Sequence, residues 1–147
     1  MPSYTTALLK SEIERDEGLK LRMYRDTVGL WTIGIGRNIE QRGITREEAL
    51  FLLNTDIDIC EADLDRNAPW WRGLSDARQR ALINLCFALG WPKLSGFDDM
   101  LGALETGDWD RAAKEALDSK WADQTDGKLD GKDGQRAERI AEMFREG

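Results

Sequence analysis

Glu17, Asp26 and Thr32 lie within EGLKLRMYRDTVGLWTIGIG, residues 17–36, with intervals of nine and six positions. Two carboxyl groups and a hydroxyl are the groups that hydrolysis of a glycosidic bond calls for. One carboxyl protonates the leaving oxygen, one carboxylate takes a proton from water, and a hydroxyl orients that water. Singly, each residue has an ordinary explanation: a helix end, a turn and a strand. Their joint spacing is what points to a site.

The elements that must position them follow from periodicity. Leu9, Ile13, Asp16 and Glu17 recur at helical spacing, and Gly18 breaks the pattern as a C-terminal cap. Glu17 is thus expected to close a helix beside its apolar stripe. Partial burial and the negative end of the helix dipole would both favour a retained proton there. From Leu19 the period becomes two, with Leu21 and Met23 alternating against Lys20, Arg22 and Tyr24, as in a half-buried strand. Asp26-Thr27-Val28-Gly29 reads as a turn, and Leu30 to Gly36 is rich in β-branched and aromatic residues and pairs back as a second strand. A hairpin of this kind brings Asp26 and Thr32 near each other. A carboxyl separation of about 6.5–9.5 Å would mark an inverting glycosidase and about 5–5.5 Å a retaining one.

Asp16-Glu17-Gly18-Leu19, Tyr24-Arg25-Asp26-Thr27 and Thr32-Ile33-Gly34-Ile35-Gly36 resemble the active-site segments of the phage-type lysozymes. Further matching segments fall in the family's order, from Arg78 to Asn84 with Phe87, through Trp109 to Ala113 and Ser119-Lys120-Trp121, to Gln124-Thr125 and Arg136-Ala137. The resemblance spans nearly the whole chain. It implies Glu17 as general acid, Asp26 as the water-activating carboxylate and Thr32 as its helper. It further implies cleavage, with inversion, of the bond between N-acetylmuramic acid and N-acetylglucosamine. By the same likeness Phe87 and Gln124 face the sugar cleft and Arg136 lies near Glu17; Phe87, Gln124, Lys120 and Arg136 are the expected substrate contacts. Two departures stand out: Arg37 replaces a histidine beside the hairpin, and the segment from Arg37 to Gly43 is short. The chain has no histidine, so histidine-dependent chemistry is excluded.

Beyond the hairpin the chain reads as helices. Thr45 and Glu48 form a capping box, and Leu50, Leu53, Ile57, Cys60 and Leu64 step along one face of a long helix that Pro69 stops. Ser75 caps a further helix whose stripe is Ala81, Leu82, Leu85, Cys86 and Leu89, and Gly90-Trp91-Pro92 ends it. Shorter helices are expected from Phe97 to Leu104 and Asp108 to Trp121, and a last one from Gln135 to Arg145. The expected fold is α+β and mainly helical, a single two-lobe catalytic domain over 1–147. Its hairpin lobe covers about 18–44 and its linking helix about 45–67. The helical lobe covers about 70–147 and includes the N-terminal helix. Five tryptophans at or near helix ends, Trp70, Trp71, Trp91, Trp109 and Trp121, read as packing anchors more readily than as sugar platforms. The Asp126–Gly134 segment, with its doubled Asp-Gly-Lys, misses the EF-hand spacing and reads as a solvated turn.

Composition narrows the function. With 147 residues and 41% hydrophobic content one folding unit can hold a proper core. No apolar run is long enough to span a bilayer, and residues 1–4 lack a signal-peptide pattern, so neither membrane insertion nor export by a leader is expected. Cys60 and Cys86 sit on apolar helix faces and read as reduced, buried side chains, and no metal or other cofactor is expected. A net charge of −7 argues against nucleic acid and makes attraction to an anionic wall weak. Local cations, Lys20, Arg22, Arg25, Arg37, Lys120 and Arg136, are candidates for a positive groove within that acidic shell.

The leading expectation is a monomeric muramidase of the phage endolysin kind, with bacterial peptidoglycan as its partner. Such an enzyme stays in the host cytoplasm until a separate holin-like protein opens the membrane. A lytic transglycosylase is the second reading; it needs the acid but has no evident use for Asp26 and Thr32. A noncatalytic wall-binding or structural module with the same fold is the third.

Overall fold

The period changes expected at Gly18 and after Thr45 are the points where the architecture changes. A computed structural model describes residues 3–119, 121–122 and 136–147. Gln124, Lys120 and the Asp126–Gly134 segment lie outside the described residues. The fold is α+β and mainly helical, with one small antiparallel sheet. The chain divides into two compact units, Met1–Phe51 and Leu52–Gly147.

The first unit begins with α1 (Thr6–Glu17), which ends where Gly18, at φ 77°, donates its backbone N–H to the Glu14 carbonyl at 2.7 Å. The sheet follows, with β1 (Lys20–Arg25), β2 (Trp31–Gly34) and β3 (Arg37–Asn38) in that order. Tyr24 pairs with Thr32 and Arg25 with Trp31, while Thr32 and Ile33 pair with Asn38 and Arg37 on the other side. A single-turn helix, α2 (Ile39–Arg42), is capped by the Asn38 side chain, which accepts from the Gln41 N–H at 3.0 Å. The expected hairpin is therefore a three-stranded sheet. A two-residue strand is too short to carry a period of its own.

Burial departs from the sequence reading here. None of the residues of α1 is buried, and Glu17, expected to be partly buried, is exposed. Along β1 the apolar set is also exposed, with Leu21 82% accessible, while Tyr24 is half-buried. The alternation marked the strand correctly but not its buried side, because strands of six, four and two residues cover little of either face. Among the described residues of this unit only Thr32 is buried.

The long helix α3 (Arg46–Asn67) starts at the predicted capping box: the Glu48 N–H donates to Thr45 Oγ1 at 3.1 Å, and the Thr45 N–H reaches Glu48 Oε2 at 3.4 Å. It ends before Pro69, which opens a 3-10 turn, Pro69–Gly73. In the second unit α4 (Asp76–Leu89) is capped by Ser75, whose hydroxyl accepts from the Arg78 N–H at 3.3 Å. Then come α5 (Trp91–Leu94), α6 (Asp98–Thr106), α7 (Trp109–Leu117) and the last helix, Arg136–Glu146. The last helix packs on α7 and α4, and α6 packs on α7. The core they enclose contains Leu64, Trp71, Leu82, Leu85, Leu94, Met100, Leu104, Ile140 and Phe144. Trp71 is fully buried and its indole N–H donates to Asp65 at 2.8 Å, so the anchor reading holds for this tryptophan.

Cys60 on α3 and Cys86 on α4 are buried in the same core as free thiols. Burial, and then the neighbouring Cys60 thiol, pushes the Cys86 thiol up to about 12. Among the described residues no helix is long and apolar enough to cross a membrane, and no three His, Cys, Asp or Glu side chains gather where they could hold a metal ion.

Candidate active site

The turn between β1 and β2 is built around Leu30. Asp26 Oδ1 accepts from the backbone N–H groups of both Val28 and Leu30, each at 2.9 Å, which is the local aspartate turn that its position after a strand favours. The Leu30 carbonyl in turn accepts from the Asp26 N–H at 2.9 Å and from the Thr32 hydroxyl at 3.0 Å. One peptide group thus ties the carboxylate and the hydroxyl to a single frame. Asp26 Oδ1 is fully engaged by that frame, while among the described hydrogen bonds none uses Oδ2. The Thr32 hydroxyl has given its proton to Leu30, so its oxygen is left to accept one from a partner. Thr32 is only 4% exposed, which fixes where that oxygen sits.

Arg25 closes the turn from outside, donating to the Gly29 carbonyl at 2.8 Å and lying 4.3 Å from the Trp31 ring centre. Its cation is spent on holding the hairpin together. Arg37 is engaged too: its two terminal nitrogens donate to the two Glu48 oxygens, each at 2.9 Å, and one also reaches the Gly43 carbonyl at 3.2 Å. The hydrogen bonds from Arg37 hold the Glu48 carboxyl below the usual carboxylate range. Of the cations expected to make a positive groove, these two serve structure first.

Glu17 is the last residue of α1. Its side chain lies against Gly36, where a Cβ would come within 2.7 Å of Oε2. The first unit therefore contains all three residues of the proposed catalytic set, two on a shared peptide frame and the third against the turn after β2.

In the second unit Phe87 and Arg136, both expected at the sugar, line one mostly apolar groove of about 460 Å³ together with Leu53, Ile57, Ile83 and Asn84. Phe87 is 46% exposed. Asn84 fixes Arg136, whose Nε and Nη2 donate to Asn84 Oδ1 at 3.0 and 2.7 Å. Two residues that shape these sites were not evident from the sequence as site components. The Leu30 peptide acts through its backbone, which no side-chain pattern reveals. Asn84 had a signal: a polar residue inside the apolar run Leu82-Ile83-Asn84-Leu85, one turn before Phe87.

A family model described as phage lysozyme matches residues 14–141, which takes in the whole hairpin and the last helix through Ala141. The chain belongs to the phage lysozyme family. It is 33% identical over 144 residues to the pre-baseplate central spike protein Gp5 of Enterobacteria phage T4, a match that covers 79% of this chain but only 25% of that protein. It is 30% identical over 146 residues to probable T4-type lysozyme 1 of Dictyostelium discoideum, covering 80% of this chain and 86% of the relative. A second Dictyostelium protein, probable T4-type lysozyme 2, is 27% identical over 168 residues and covers 95% and 94%. The relatives thus include two Dictyostelium proteins matched over most of their length and a spike protein matched over one quarter of its length.

Proposed function

We propose that this chain is a muramidase that hydrolyses the β-1,4 bond between N-acetylmuramic acid and N-acetylglucosamine in bacterial peptidoglycan, with inversion. Glu17 protonates the leaving glycosidic oxygen. Asp26 takes a proton from the attacking water through the carboxylate oxygen that the turn leaves unused, and the Thr32 oxygen accepts the water's other O–H. The water's lone pair then points at the anomeric carbon, the C–O bond breaks, and proton exchange with solvent restores both carboxyls. The convergence of Asp26 and Thr32 on the Leu30 peptide is the observation that carries this reading. A group that only orients water is of no use to a lytic transglycosylase, which closes an anhydro ring instead. Family membership supports glycoside hydrolysis of the same kind.

Phe87 and Arg136 supply sugar contacts from their groove, joined by Gln124 and Lys120. The chain acts as a monomer on peptidoglycan during phage lysis of the host. It waits in the cytoplasm until a holin-like protein opens the membrane. A second reading draws on the Gp5 match, in which the aligned quarter belongs to a spike protein: the domain is then one part of a larger structural protein.

Turbidity clearance of outer-membrane-permeabilised Gram-negative cells tests the proposal. The purified chain is expected to clear them and Glu17→Gln is not. Absence of clearance by either protein overturns the reading. Mass spectrometry of the digest is expected to show reducing-end muramic acid; products lighter by one water would establish the transglycosylase.

A further inference from the structure

Five glycines of the first unit have positive φ, and four of them, Gly18, Gly29, Gly34 and Gly43, have open space where a side chain would begin. Gly36 is the exception. At φ +67° its missing Cβ would stand 2.7 Å from Glu17 Oε2, 2.8 Å from Cδ and 3.0 Å from Cγ. All three atoms belong to the end of the side chain that carries the proton. No real Cβ tolerates such distances, and a flexible glutamate is the partner that would give way.

The position of Gly36 is itself fixed. Two residues back, Gly34 pairs with Lys20 at the end of β2, and one residue on, Arg37 opens β3 opposite Ile33. Arg37 is fastened by its two-pronged ion pair to Glu48 and by its bond to the Gly43 carbonyl. A turn held at both ends presents a bare Cα to the Glu17 carboxyl.

We propose that Gly36 is a positioning residue for the general acid, its bare Cα held in place by the Arg37–Glu48 clamp and acting as a stop that sets where the Glu17 carboxyl rests. This rests on the assignment of Glu17 above. Any side chain at 36 displaces the carboxyl from that resting place, and loosening the clamp lets the stop itself move. Catalysis is sensitive to such shifts: misplacing a reacting group by 1 Å costs about 10²-fold.

Gly34→Ala is the matched control. Its φ is +70°, so an alanine there suffers the same backbone strain, yet nothing lies within 4 Å of the added carbon. On purified peptidoglycan, Gly36→Ala is expected to lower kcat about 10²-fold with KM little changed. It should also move the alkaline limb of the kcat–pH profile, which reports the group that must hold a proton. Gly34→Ala should lose the same thermal stability while keeping its kcat and its pH limb. Glu48→Gln, which weakens the clamp without touching the turn, should lower kcat several-fold at unchanged KM, and it decides the matter if Gly36→Ala does not fold. Active wild type with equal kcat and pH limb in Gly36→Ala and Gly34→Ala overturns the positioning role, as does a folded Glu48→Gln of full kcat. Inactive wild type instead overturns the muramidase assignment.

Discussion

Each of the three proposed catalytic residues is held by something different, so each substitution should fail differently. Glu17 is exposed at the end of α1 and has no hydrogen bond among the described ones, so Glu17→Gln should cost about 10²–10⁴ in kcat through loss of the proton alone. Its stability should stay within about 0.5 kcal/mol of wild type, as for other exposed sites. Asp26→Asn should lose comparable activity but also disturb the turn, since the amide can present one oxygen to the Val28 and Leu30 N–H groups yet sets an NH₂ where the second oxygen stood. Thr32 separates orientation from charge. Thr32→Ser retains the hydroxyl that Leu30 binds and should keep most activity, while Thr32→Val should lose about as much as the weaker of the two carboxyl variants. Chromogenic or reducing-sugar assays with melting curves on the same preparations check all four. As candidates these residues were legible from their joint spacing and from the family likeness. Their environments were not. The stripe Leu9–Ile13 suggested a partly buried Glu17, yet Leu9 is 37% and Ile13 43% exposed, and periodicity reports which face is apolar, not whether anything covers it.

At the scale of elements, caps and stops were read more reliably than faces. Thr45, Ser75, Gly18, Pro69 and Gly90 all act where expected, because a cap depends on two or three neighbouring residues and their backbone. Ser75→Ala is accordingly expected to cost about 1 kcal/mol, measured by urea unfolding, with the denaturant slope unchanged. Shorter elements escaped. The helix α5 and the strand β3 have four and two residues, less than one clear period of either repeat. Two ion-paired carboxyls couple elements and give the protein an acid limb. Hydrogen bonds from Arg37 hold Glu48 low, and those from Arg72 and then Trp71 hold Asp65 low. A carboxyl depressed in the folded state lends stability above its unfolded value, near 4.3 for Glu and 3.9 for Asp, and loses it as pH falls through the folded value. Melting temperatures are therefore expected to be level from neutral pH down to about 5 as far as these two groups are concerned, and to fall below about 4. Glu48→Gln and Asp65→Asn should each flatten that fall; an unchanged acid slope in both would place the acid sensitivity elsewhere.

At the scale of the whole chain, two properties written in composition acquire physical form. The free thiols of Cys60 and Cys86 are 6% and 2% exposed, and the high value of Cys86 leaves almost no thiolate at neutral pH. The native protein should react with Ellman's reagent far more slowly than the denatured chain, which should release two equivalents; fast native reaction would mean that the core between α3 and α4 opens readily. The second property is the formal charge of −7 at a sequence pI near 4.7. Cations placed near the hairpin do not offset it freely, since Arg25 is committed to the turn and Arg37 to Glu48, and in the second unit Arg136 is committed to Asn84. Long-range approach to an anionic wall is then repulsive, and screening should help. Raising ionic strength from about 0.01 M to 0.15 M shortens the screening length from about 30 Å to about 8 Å, which removes the far field while leaving contacts within the groove. Turnover on intact walls is thus expected to rise over that range, whereas turnover on short soluble peptidoglycan fragments, which carry few charges and the same MurNAc–GlcNAc bond, should change far less. A fall with salt on whole walls would show instead that local cations govern the encounter, and charge reversal of Lys20 and Arg22, both exposed on β1, would then identify them.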